Sequence, residues 1–265
     1  MHALDLDGDV IRYGGVQDLA RSSGGVGFRR LPAWTRPQIA DPTFQFLLTM
    51  PSGARLEFDT DSTTVELEVG LTLLRMGDAP IIPAAFDVAF DSLAFAGQCQ
   101  LDPFVARTIR DLPADLISLK VGINLVNADS MRERAFVPAV HGFLDTIRDG
   151  HPATPVVLIT PILCPAHEQA SGPTVPGPTI STIDRPTNLA LGALTIGRIR
   201  ELLAEVVATR QAGGDNQLHL LDGRELFGED DLADLPDGLH PNAAGYVRMG
   251  ERFHQMAFGA DGPFT

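Results

Sequence analysis

Three short apolar runs recur along the later part of the chain: residues 115–121 (DLISLKV), 155–162 (PVVLITPI) and 217–222 (QLHLLD). Stretches of helical length and period separate them, and this alternation constrains the fold more than any other feature. A strand buried on both faces reads as an unbroken apolar run, and strands alternating with helices imply a parallel sheet covered on both sides. The pattern predicts one more strand over 88–95, and helices over 103–112, 130–148, 187–210 and 242–256. Asp102 and Pro103 supply the N-cap and first helical residue for the first helix, and Ser130 is placed to cap the second. Residues 164–186 form a segment with five prolines, too long to be a mere connection in a compact domain. On sheets of this kind, ligands sit at the carboxyl ends of the strands.

Residues 1–88 have a different texture. Arg55-Leu56-Glu57-Phe58 and residues 63–69 alternate polar and apolar with period two, and Gly14-Gly15, Gly24-Gly25 and Ser52-Gly53 punctuate the region. This reads as a small antiparallel β unit, short for a complete sandwich, preceding an α/β domain over 89–265. With 20 basic against 34 acidic side chains, the net charge is −14 and no basic stripe is present. Nucleic acid and anionic membrane surfaces are therefore not expected partners. Cys99 and Cys164 each stand alone, which fits neither a disulfide scaffold nor a zinc site. The opening MHALDLDGDV carries acids where a signal peptide has a basic start, and no apolar run is long enough to span a bilayer. The expected location is the cytoplasm.

Three segments that follow predicted strands could carry chemistry. In Asp237-Gly238-Leu239-His240-Pro241, the carboxylate three residues before the imidazole can fold back on it, fixing the tautomer and freeing the other nitrogen as a general base. In Gly122-Ile123-Asn124, an Asn amide at a strand's carboxyl end can donate to a developing oxyanion. In Phe95-Ala96-Gly97-Gln98, a Gly lets its backbone N–H approach a ligand closely. Each segment taken alone also reads as an ordinary polar turn.

In order and at these strand ends, the three resemble blocks of the SGNH/GDSL hydrolase family, over roughly residues 90–257. Its most specific stretches here are FAGQCQLDPF, DLISLKVGIN and LPDGLHPNAAGY, although Leu125 follows Asn124 where the family usually has Asp. RRLPAW (29–34) and SGARLEFDTDSTTVELEV (52–69) are similar to the β-sandwich that precedes the hydrolase domain in one bacterial subgroup. The resemblance implies a flavodoxin-like α/β sheet with helices on both faces, preceded by a partial antiparallel β-sandwich. It further implies hydrolysis of a carboxylic ester, such as an acyl group on a sugar or small alcohol, with no metal or organic cofactor. In that mechanism His240 takes the nucleophile's proton, Asp237 orients the imidazole, and Gly97 and Asn124 hold the oxyanion.

The family's nucleophile lies in a Gly-Asp-Ser turn, and no Gly-Asp-Ser occurs in this sequence. In one reading Phe90-Asp91-Ser92-Leu93 is a degenerate version of that turn and Ser92 the nucleophile. In the other, these residues belong to the strand leading into Gly97, and the first strand, helix and nucleophile are missing through an internal deletion. The second reading fits the spacing better, because four residues between Ser92 and Gly97 leave no room for a helix. It implies an inactive relative that binds an acylated or sugar-like ligand, or a truncated product without function. Ser118, Ser130, Ser171 and Ser181 are read as structural, since none follows a strand in an elbow context.

Other polar groups have simpler accounts. Asp5-Leu6-Asp7-Gly8-Asp9 and Glu229-Asp230-Asp231 read as solvated acidic turns, and His167-Glu168 as part of an exposed loop. His141, His219 and His254 fall within predicted helices or a strand, where packing explains them. Trp34 and Tyr13 could form a sugar platform, but a single Trp more often anchors a core.

Overall fold

The computed structural model describes residue 6 and residues 10–58, 92–183 and 186–264, which fall into two compact units, Met1–Phe95 and Ala96–Thr265. In the first unit, strand β1 (Arg12–Gly14) pairs antiparallel with β4 (Arg55–Glu57), and β2 (Asp18–Ser22) with β3 (Gly25–Arg29). Gly25, at φ +120°, closes the tight turn between β2 and β3. Helix α1 (Pro42–Leu47) starts at Asp41, whose carboxylate accepts from Thr43 N at 2.8 Å. Trp34 lies exposed in the 3-10 helix Ala33–Gln38 and anchors no core, contrary to the simpler expectation. Tyr13 packs against Phe28, and its hydroxyl donates to Leu6 O. The alternating run 63–69 and the acidic turn at 5–9, Leu6 apart, lie outside the described residues.

The strand expected over 88–95 falls partly outside the described residues, and residues 92–95 are not strand. Their carbonyls face a guanidinium instead of a ladder. Arg30, 2 % exposed, donates to Ser92 O (3.2 Å), Ala94 O (2.8 Å) and Leu47 O (3.3 Å), with its charge 4.4 Å from the centre of the Phe95 ring. Burial lowers its pKa to about 10, so the group stays protonated and requires these acceptors.

The second unit is α/β. Strands β5 (Ile117–Lys120), β6 (Val156–Ile159) and β9 (Leu218–Leu221) form a parallel sheet in the order β5-β6-β9. Residues 156 to 159 of β6 are all buried, and its alternation divides the core in two. Val156 and Leu158 face α4 (Glu133–Gly150) and α6 (Ile196–Ala212), through Phe136, Val140, Leu144, Ile199, Leu203 and Val206 among others. Val157 and Ile159 face α7 (Gly223–Leu226) and α8 (Ala243–Phe258), through Leu226, Met249, Phe253 and Met256. Helices thus cover both faces of the sheet, as the apolar runs require. Helix α2 (Pro103–Asp111) packs on α4.

The helix expected over 187–210 is broken into α5 (Thr187–Ala190) and α6. Gly192, at φ +68°, turns the chain so that its carbonyl accepts from Glu133 N (2.8 Å), and Thr195 then caps α6 by accepting from Arg198 N (3.1 Å). Ser130 does not cap α4, whose N-cap is Arg132; its hydroxyl donates to the Gln100 side chain. The proline-rich segment is not featureless, since it holds the two-stranded antiparallel ladder β7 (Thr174–Val175) and β8 (Ser181–Thr182). Among the described residues, no helix is long and apolar enough to cross a membrane.

A strand buried on both faces tolerates truncation poorly. Leu158→Ala should lower the unfolding free energy by about 2–5 kcal/mol, read as a reduced midpoint with unchanged slope in urea denaturation.

Candidate functional site

The loops that leave the carboxyl ends of the strands carry the residues singled out above. After β5, Gly122 takes φ +130°, a conformation in which a side chain would also strike Pro161 and Ile199. This sharp turn opens the short helix α3 (Ile123–Asn127), so Asn124 sits in a helical turn and not in a loop. Its Oδ1 accepts from Cys99 N at 3.0 Å, and its carbonyl accepts from Gln100 Nε2 at 3.1 Å. Because an N–H donor must meet the amide oxygen, the orientation of the carboxamide is fixed. Its NH2 has no hydrogen-bond partner among the described residues and is left to donate elsewhere. Gly97, two residues before Cys99, is exposed at φ +70°, and its N–H is likewise unpartnered among the described residues.

The second group lies just ahead of α8. The Asp237 carboxylate accepts from His240 Nδ1 (2.7 Å), His240 N (2.7 Å) and Leu239 N (2.8 Å). Gly238, at φ +80°, bends the chain tightly enough for all three donors to converge. Burial opposes ionisation of this carboxylate, but the donors from His240 and Leu239 outweigh it and hold the pKa below the ordinary aspartate value. A carboxylate accepts only, so Nδ1 carries the imidazole proton and Nε2 presents a lone pair. The His240 side chain is two-thirds exposed, and Nε2 has no partner among the described residues. Helix α8 begins at Ala243, two residues later than Pro241 suggested, with Asn242 capping it by accepting from Gly245 N (2.9 Å).

Contacts from the loop after β6 hold this turn at the same edge of the sheet. Cys164 Sγ donates to Gly238 O at 3.3 Å, and Ile180 N donates to Asp237 O at 2.9 Å. Beside the turn lies a depression of about 500 Å³ walled by Pro165, Ala166, Thr179, Ile180, Leu232 and Leu235. The structure therefore brings Asp237 and His240 together, and it joins the segment after Gly97 to the Asn124 helix through Cys99 N. Ser92 belongs to the other unit. Its Oγ accepts from Ala94 N at 3.4 Å, and Phe90 and Asp91, which complete its turn, lie outside the described residues. Neither cysteine offers a ready nucleophile, because burial above all pushes both thiols up to about 11. Among the described residues, no group of three or more His, Cys, Asp or Glu is placed to hold a metal ion.

Three groups that read as solvent-facing in the sequence support this edge from within. His167 is fully buried, and Glu168 pairs with Arg200 (2.7 Å), which is 7 % exposed and also donates to Pro161 O and Ile162 O. Asp231 is 4 % exposed and is held by Arg248 (2.8 Å) and Arg252 (2.6 Å) of α8, with Gly228 N as a further donor. The same Arg248 also pairs with Asp234. An i, i+4 spacing of arginines on α8 was the available sign that Glu229-Asp230-Asp231 is more than a solvated turn.

No family model and no curated protein matches the sequence. Among solved structures, the salicylyl-acyltransferase SsfX3 from a tetracycline biosynthetic pathway superposes with a TM-score of 0.70 over 97 % of this chain and 97 % of its own, at 21 % identity. The fold is that of the SGNH hydrolases. A GDSL-like lipase from Bacteroides ovatus gives a TM-score of 0.44 at 20 % identity over 59 % of this chain and 39 % of its own. A carbohydrate esterase family 3 protein from Talaromyces cellulolyticus gives 0.40 at 17 % identity over 64 % and 72 %. The Asn124 helix follows the carboxyl end of β5, the edge at which parallel α/β sheets in general carry their ligands.

The Arg252 guanidinium, with Gly228 N and Arg248, lowers the Asp231 pKa from an ordinary 3.8 to about 2. A depressed folded-state pKa contributes stability that is complete above the unfolded value and lost as pH falls through the folded one. Melting temperature should therefore drop between about pH 4 and pH 2, and Asp231→Asn should lower it at pH 7 while flattening that acid limb, as followed by circular dichroism.

Proposed function

We propose that the chain is an SGNH-type carboxylic-ester hydrolase or acyl transferase, with its active site at the carboxyl edge of the β5-β6-β9 sheet. The observation that carries this reading is the Asp237–His240 pair. A 2.7 Å contact fixes the Nδ1–H tautomer and leaves an exposed Nε2 lone pair, and the Asn124 amide keeps an NH2 that is unpartnered among the described residues. This combination has little purpose in a merely structural turn and suits proton transfer next to a developing oxyanion.

The nucleophile in this reading is a serine hydroxyl. Its Oγ attacks the ester carbonyl carbon while His240 Nε2 takes its proton. The negative charge that forms on the carbonyl oxygen is met by Asn124 Nδ2 and the Gly97 N–H. The C–O bond to the alcohol then breaks, with His240 returning the proton to the leaving oxygen, and an acyl-serine remains. Water or a second alcohol, deprotonated by the same imidazole, releases the acyl group. Asp237 stays ionised throughout and stabilises the imidazolium. The apolar walls of the neighbouring depression favour an apolar acyl group. Acyl transfer, the activity in the name of SsfX3, fits the same steps with an acceptor other than water.

The absence of Gly-Asp-Ser supports a second reading, in which the same edge binds an acylated ligand without turnover. A fluorophosphonate probe followed by peptide mapping separates the two. The catalytic reading expects modification at one serine that disappears in His240→Ala. A protein that melts cooperatively and takes no label at any serine sinks it and leaves the binding reading.

A further inference from the structure

One segment touches both halves of the candidate site. It begins with the 3-10 turn Pro165–His167 that follows β6 and runs through β7 and β8. His167 is fully buried there, with Nδ1 3.2 Å from Ala170 O and Nε2 2.7 Å from Thr174 Oγ1. The Thr174 hydroxyl also lies 2.7 Å from Asn127 Oδ1, so it bridges the His167 ring and helix α3. Asn127 is one turn beyond Asn124 on that helix. A second point of attachment lies at Gly172, where a Cβ would fall 1.7 Å from Val126 O, so the segment is seated directly on the α3 backbone. At its other end, β7 pairs Thr174 with Thr182 and Val175 with Ser181 of β8, and the next residue, Ile180, donates to Asp237 O at 2.9 Å.

We propose that His167, Thr174 and Asn127 are positioning residues, which set the register between the Asn124 carboxamide and the Asp237–His240 turn. The proposal rests on reading those groups as one ester-processing site. A polar chain anchored on a fully buried imidazole has few alternative arrangements, because a shift leaves the His167 ring without its partner away from water. A loop connection alone would let α3 and the 235–241 turn drift independently. The bridge through Thr174 makes them move together. The imidazole of His167 does not reach a substrate in this scheme; it holds the hydroxyl that holds the helix.

Thr174→Val keeps the shape and removes the bridge, and Thr174→Ser restores the hydroxyl. The test compares side-chain 15N resonances of Asn124 and His240, assigned from Asn124→Asp and His240→Gln, in the wild type and both variants. Positioning predicts that both resonances shift in Thr174→Val and return in Thr174→Ser, and that kcat for a p-nitrophenyl ester falls about tenfold to a hundredfold with KM little changed. A folded Thr174→Val protein in which both resonances stay at their wild-type positions overturns the proposal. If Thr174→Val gives no folded spectrum, Asn127→Ser breaks the same bridge from the α3 side and is read by the same two outcomes. A wild-type protein without ester turnover defeats the catalytic reading instead, and the resonance comparison, which needs no turnover, still decides the positioning one.

Discussion

Strand β6 is the element on which the rest depends. All four of its residues are buried, so its backbone groups must be satisfied by ladders on both sides and its side chains by helices on both faces. These requirements fix β5 and β9 as parallel neighbours, and α4, α6, α7 and α8 as the covering layers. They also fix where chemistry can occur. Three parallel strands end on one edge, and the chain leaves that edge in loops whose polar backbone has to be satisfied locally. Arg200 does this for the carbonyls of Pro161 and Ile162, and Thr160 Oγ1 does it for Gly223 N. The loops are thereby rigid enough to hold an imidazole and a carboxamide in place.

The candidate site is electrostatically simple. One carboxylate, kept ionised by three donors, faces one imidazole, and the Gly97 N–H and the Asn124 NH2 are unpartnered among the described residues. The supporting charges are paired away from it: Asp231 with Arg248 and Arg252, and Glu168 with Arg200.

Much of this was legible in the sequence where local chemistry decides the outcome. The apolar runs named the sheet, and Asp237-Gly238-Leu239-His240 named a hydrogen-bonded turn. What could not be read was decided by distant partners. Glu168 and Asp231 look like loop residues until Arg200, 32 positions later, and Arg252, 21 positions later, close around them. The 92–95 segment reads as a strand by its apolar character, but a buried guanidinium from Arg30 takes the carbonyls that a ladder would need. Periodicity carried the 187–210 helix across Gly192 because an amphipathic pattern gives no sign of a tertiary hydrogen bond to Glu133 N.

The central claim is that Asn124 and the Asp237–His240 turn act on one bound ester. Steady-state hydrolysis of a p-nitrophenyl ester by Asn124→Ala tests it most directly, because in the proposed mechanism this side chain meets the oxyanion and not the ground-state ester. The account predicts a fall in kcat of about a hundredfold to a thousandfold, with KM nearly unchanged. A variant that turns over at the wild-type rate would contradict it, and so would a loss confined to KM.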